Sequence, residues 1–90
     1  MDTLNLDVFG ARLRSRRHAL QLSQQALARQ MQVAQGWISE LENGRQKRLE
    51  ADTVYRFGKA LTCSTDYLLG LTDDPTPPRK RPRPRKVTVG

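Results

Sequence analysis

All five prolines of this 90-residue chain lie at or beyond position 75, so the first 74 residues contain none. Proline removes a backbone donor and breaks helix interiors, so a long proline-free stretch leaves continuous hydrogen-bonded structure open to the chain. Within it, apolar residues recur at spacings of three and four, and Gly10, Gly36, Gly44, Gly58 and Gly70 punctuate them. That is the period and punctuation of helices. Strand signals are absent, and an aromatic content of 6% does not suit a sandwich built on aromatic and β-branched residues. A chain this short buries only about 60% of its unfolded surface, which allows one core. The expected fold class is all-α with five helices.

The first helix is expected over 7–20, with Leu6, Phe9, Leu13 and Leu20 on one face. The second starts after Ser23, a good N-cap, and turns Leu27, Ala28 and Met31 inward. The third begins near Ala34 or Gln35 and ends before Gly44, with Ile38 and Leu41 inward and Val33 at the turn. The fourth spans about 50–61 and buries Val54, Phe57, Gly58 and Leu61. A short fifth helix is capped by Ser64 and carries Tyr67, Leu68 and Leu71. Two domains of behaviour follow: a folded body over 6–72 and a tail over 73–90.

The formal charge of +7 is unevenly spread. All nine acidic residues and ten of the sixteen basic ones precede position 75, leaving the body at +1 and the last sixteen residues at +6. The tail is expected to be a flexible, disordered, proline-rich polycation suited to a polyanionic partner. One cysteine, Cys63, and one histidine, His18, exclude a disulfide framework and a Cys/His zinc site. No nucleophile–base pair, phosphate-cradling glycine loop or acidic metal cluster stands out, so neither enzyme activity nor a cofactor or metal is expected. No apolar run reaches the ~18 residues of a membrane span, and a cytoplasmic, nucleoid-associated location with no membrane partner is expected.

The second and third helices are joined by only Met31-Gln32-Val33-Ala34, the helix-turn-helix pattern. The outer face of the third helix carries Gln35, Gly36, Ser39, Glu40 and Asn43. An ordinary solvated face is rich in Lys and Glu; this stripe can donate and accept hydrogen bonds, as base edges require.

Four motifs, Phe9-Gly10-Ala11-Arg12-Leu13-Arg14, Leu22-Ser23-Gln24-Gln25-Ala26-Leu27-Ala28, Trp37-Ile38-Ser39-Glu40-Leu41-Glu42-Asn43-Gly44-Arg45 and Ser64-Thr65-Asp66-Tyr67-Leu68-Leu69-Gly70-Leu71, together resemble the xenobiotic-response-element, phage lambda repressor-like helix-turn-helix family. The resemblance covers about residues 6–72. It implies a five-helix domain that binds operator DNA, usually as a homodimer. It implies base contacts from Gln35, Gly36, Ser39 and Glu40, and a phosphate contact from Gln24, which also buttresses the reading helix. Asn43, Arg45, Lys47 and Arg48 fall where the family grips the DNA backbone, and Arg17 with Glu42 falls where it has a structural pair. Several positions depart from the pattern. Gln21, Gln32 and Thr62 stand where glycine is common at left-handed helix ends, at roughly 1 kcal/mol each. Ala34 replaces the usual Ser or Thr cap, losing about 1 kcal/mol. Gly36 removes one reading side chain.

Gln35 can pair bidentately with adenine, worth about 1–3 kcal/mol of discrimination, and Ser39 can serve either type of base. Glu40 suits either a cytosine amine or a salt bridge with a basic neighbour. Trp37 offers an indole N–H to a phosphate, although half-buried packing is its stronger role. His18 sits in a basic run, Arg12, Arg14, Arg16 and Arg17, expected to form a solvated face, and Cys63 is expected to be a buried thiol. In the tail, Arg79, Lys80, Arg81, Arg83, Arg85 and Lys86 are expected to contact DNA; the segment is similar to an AT-hook but lacks its central glycine. The expected function is a transcriptional regulator, chiefly a repressor, reading duplex DNA as a dimer; Tyr67, Leu68 and Leu71 are candidates for the dimer surface, with a core role explaining some of them equally well. The alternatives are an antitoxin with a partner toxin, a restriction-modification controller, a protein-interaction adaptor and an architectural DNA-coating protein.

Overall fold

The computed structural model describes residues 5–46 and 48–77, which form five helices: α1 (Leu6–Ala19), α2 (Gln24–Met31), α3 (Gln35–Glu42), α4 (Ala51–Leu61) and α5 (Thr65–Leu69). Among the described residues there is no strand, and no helix is long and apolar enough to cross a membrane. Asn5 starts α1 a residue earlier than expected, because its carboxamide oxygen accepts from the amides of Asp7 (2.9 Å) and Val8 (3.2 Å). The hydroxyls of Ser23 and Ser64 cap α2 and α5 by accepting from Ala26 N and Tyr67 N. Ala34 leaves α3 without a side-chain cap.

Three non-glycine residues, Gln21 (φ 58°), Gln32 (φ 60°) and Thr62 (φ 52°), adopt the left-handed conformation that ends a helix. Gln32 stands at the sharp turn between α2 and α3, where Val33 N returns to Ala28 O at 2.9 Å.

Phe9, Leu13, Leu27, Ile38, Phe57, Leu61 and Leu68 are fully buried at the centre. The Phe57 ring meets Phe9 edge-on with centroids 5.9 Å apart and stacks on Trp37 at 5.8 Å, tying α1, α3 and α4 together. Gly10 is the point of closest helix approach: a Cβ there would lie 2.3 Å from Leu41 O and 2.8 Å from Glu42 O, at the end of α3. Leu20 does not join the core face of α1. It falls at the C-cap, where the helix has ended, and is 37% exposed.

The basic run of α1 is not a solvated face. Arg12 donates to the carbonyls of Tyr67 and Thr72, pairs with Asp73 at 2.7 Å and lies over the Tyr67 ring. Arg16 donates to Leu61 O and Thr62 O, and Arg56 of α4 donates to Met31 O. Guanidinium groups thus satisfy carbonyls at or just beyond the C-termini of α5, α4 and α2, where the helix dipole favours a cation. Residues 73–76, expected as the start of a free arm, are also tied down: Pro75 O accepts from Ser64 N at 3.1 Å, and Asp74 Oδ1 accepts from Thr76 N. The trio Tyr67, Leu68 and Leu71 does not form one outer surface. Leu68 is fully buried, Tyr67 is half-buried beneath Arg12, and Leu71 is 73% exposed.

Candidate nucleic-acid interface

Burying Ile38 and Leu41 turns Gln35, Gly36 and Glu40 outward, with Asn43 at the exposed C-cap and Ser39 half-buried between them. At the back of this face lies the Glu42 carboxylate, with no exposed side-chain area. Arg17 grips it with Nε at 2.6 Å and Nη2 at 3.0 Å, while Gln24 Nε2 donates at 3.0 Å and Arg14 Nε at 3.3 Å. Burial by itself pushes this carboxyl up; the donors, led by Arg17, outweigh it and hold Glu42 below the ordinary carboxylate value. Arg17 also donates to Leu22 O, so one side chain joins α1, the start of α2 and the end of α3.

This cluster orients the outer face. Ionised Glu42 can only accept, so Gln24 must present its NH2 inward and its carbonyl oxygen outward. Gln35 Nε2 then approaches that oxygen at 3.4 Å. Gln35 is left with one N–H and its carbonyl oxygen free, a donor and an acceptor side by side, which matches N7 and N6–H of adenine.

The rest of the stripe is quieter. Asn43 Nδ2 donates to Ser39 O at 2.9 Å and stands 3.5 Å from the Ser39 hydroxyl, closing the end of α3. Among the described residues Glu40 pairs with no basic side chain; Gln46 Nε2 donates to it at 2.8 Å. A Cβ on Gly36 would meet nothing within 4 Å, so this position is open space. Trp37 packs on Phe57. Arg45 and Arg48 are exposed. Lys47, and the tail residues Arg79, Lys80, Arg81, Arg83, Arg85 and Lys86, lie outside the described residues. Cys63 is buried: burial raises its thiol pKa, and Arg16 offsets part of the rise. Sequence reasoning missed Arg14 and Gln46 as partners of the stripe, because neither spacing nor composition pairs them with Glu42 or Glu40.

The model of the helix-turn-helix domain family matches residues 8–72, most of the chain. The chain belongs to the helix-turn-helix family. Among curated relatives, the HTH-type transcriptional regulator DicA of Escherichia coli (strain K12) is 32% identical over 84 residues. That match spans 91% of this chain and 61% of DicA. Repressor protein C2 of Salmonella phage P22 is 35% identical over 66 residues, covering 73% of this chain and 30% of that protein. The chain thus spans less than two thirds of these relatives. Two solved structures share the fold. The clp gene regulator ClgR from C. glutamicum superposes with a TM-score of 0.67 at 31% identity, over 76% of this chain and 87% of that one. The restriction-modification controller protein C.AhdI from Aeromonas hydrophila superposes at 0.65 with 27% identity, over 73% of this chain and 98% of that one. These relatives are themselves named as transcriptional regulators and a repressor, in keeping with the family that the four motifs resemble.

Proposed function

We propose that this helix-turn-helix chain is a sequence-specific regulator of transcription that lays α3 in the major groove of duplex DNA and represses by occluding a promoter. The observation that carries this is the ordered donor–acceptor pair of Gln35, held by Gln24 and the buried Glu42 on an otherwise uncharged first turn. Gln35 and Ser39 discriminate among bases, Glu40 accepts from a base amine on the same face, and Gly36 adds only backbone. Gln24, Asn43, Arg45, Lys47 and Arg48 meet phosphates at the rim, and Trp37 serves by seating α3 on Phe57. The six basic residues of the tail add attraction to phosphates that does not depend on sequence. Because one domain covers a half-site, two copies act on a two-fold operator.

Site selection from random duplexes, followed by affinity measurement, tests this. The intact chain is expected to recover a two-fold motif. Gln35→Ala with Ser39→Ala is expected to flatten that motif while leaving weak, salt-sensitive binding. An adaptor would show no sequence preference at all, and an architectural protein would keep its binding without the reading face but lose it on deletion of residues 79–86. Control of a restriction-modification system is a second reading, favoured by the 98% of C.AhdI that this domain matches. It predicts a recovered motif that lies upstream of restriction genes.

A further inference from the structure

Just beyond the end of α3, a half-buried side chain reaches back to an exposed one. Gly44 reverses the chain with φ 70°, and Asp7 Oδ1 occupies the space that a Cβ there would need. Arg45 N then returns to Glu40 O at 2.9 Å, which brings Gln46 alongside the last turn of α3. Gln46 is half-buried and lines a hollow of about 500 Å³ together with Trp37, Leu41 and Leu49. From that seat its Nε2 donates to Glu40 Oε1 at 2.8 Å, although Glu40 itself is exposed. An unsupported glutamate on a helix surface samples several rotamers, and ordering it at an interface costs that freedom. The amide of Gln46 orders it beforehand. Being neutral, Gln46 holds one carboxylate oxygen without cancelling the charge, and Oε2 keeps its full capacity to accept.

We propose that Gln46 is a positioning residue for base recognition: by holding Glu40 Oε1 it aims Oε2 at a base amine and sets a preference for cytosine. An ionised carboxylate can only accept, so it favours the base edges that donate in the major groove, cytosine N4 and adenine N6. In adenine the acceptor N7 lies beside the amine and repels a carboxylate; in cytosine no acceptor of the same base does. Cytosine is therefore the base that a fixed, charged Glu40 selects. Gln46 acts through Glu40 and touches no base. The inference rests on the function proposed above, since it names the base and the supporting residue for one position of the same face.

Site selection with the full chain and four variants, backed by spectra of the free protein, decides the matter. The wild type is expected to favour cytosine at one position of each half-site, and Glu40→Ala is expected to abolish that preference. Gln46→Met keeps the length of the side chain but not its donor. It is expected to weaken the same preference about tenfold, leaving other positions, thermal melting and the salt dependence of binding unchanged. Adding Gln46→Met to Glu40→Ala is expected to change nothing further, whereas Gln46→Lys, which restores a donor, is expected to keep the cytosine preference. In the free protein, Glu40→Ala is expected to shift the side-chain amide resonances of Gln46. A wild type that recovers no motif overturns the proposed function and this inference together. A motif that survives Gln46→Met intact, or a base other than cytosine at the position Glu40 controls, overturns the inference alone. So does an effect of Gln46→Met that persists without Glu40, which would make Gln46 itself the reader, or amide resonances that do not move.

Discussion

Replacing Glu42 by glutamine isolates what the buried carboxylate does. The guanidinium of Arg17, with a side chain only 10% exposed, would lose its counter-charge, and Gln24, Arg14 and Arg17 would be left with one acceptor oxygen between them. Breaking a buried pair from one side costs about 3–5 kcal/mol, because an uncompensated charge stays in the interior. Glutamine keeps one acceptor oxygen, which puts the expected loss near the lower end, about 3 kcal/mol. A folded body of roughly 70 residues has only about 3.5–10 kcal/mol of stability, so the variant should stand close to its unfolding midpoint. Replacing both partners, Arg17→Met with Glu42→Leu, removes the stranded charge and is expected to return stability to within about 1 kcal/mol of the wild type. Urea unfolding followed by circular dichroism measures all three, with the midpoint moving and the slope constant. A loss below about 1 kcal/mol for Glu42→Gln, or a double variant as unstable as the single, would refute the assignment of Glu42 as an obligate counter-charge. The folded double variant also separates stability from recognition. Without Glu42 nothing dictates which way Gln24 presents its amide, so discrimination at the base that the proposed function assigns to Gln35 should fall about tenfold.

Three further outcomes are expected. Because the folded pKa of Glu42 lies below its unfolded value, the stability it adds is complete above the ordinary carboxylate range and is lost as pH falls through the folded value; thermal melts across pH should show this slope, and Glu42→Gln should flatten it. Thr62→Gly should stabilise the domain by about 0.5–1 kcal/mol, since relief of left-handed strain of about 1–2 kcal/mol outweighs the added chain entropy of glycine. The melting temperature should rise by about 3–8 °C, and more than for Gln21→Gly, whose side chain is not β-branched. Gly36→Ala fits in open space and should stabilise α3 by up to about 1 kcal/mol. Its effect in site selection should be confined to a single base pair of each half-site.

Helix positions were legible because they rest on local rules. Ser23 and Ser64 cap as their chemistry dictates, and the left-handed ends at Gln21, Gln32 and Thr62 stand where the glycines of the resembled family would. The arginines of α1 were not legible. Solvated and buried guanidinium groups look alike in composition, and the carbonyls that Arg12 and Arg16 satisfy lie more than forty residues away in sequence. Glu40 shows the same limit, since its partner Gln46 reaches it only after the chain turns at Gly44. Leu68 and Leu71 are both leucines near the end of α5, yet one sits in the core and the other in solvent, because the helix stops between them at Gly70.

The missing side chain at Gly10 has a mechanical consequence. With the backbone of α1 resting directly on the last carbonyls of α3, there is no layer of side chains between them to shear or repack. In the function proposed above, α3 is bolted to its frame and would arrive at a duplex in its final pose. Misfit must then be absorbed by bending or twisting of the double helix, so pliable dinucleotide steps should be favoured even where the protein touches no base.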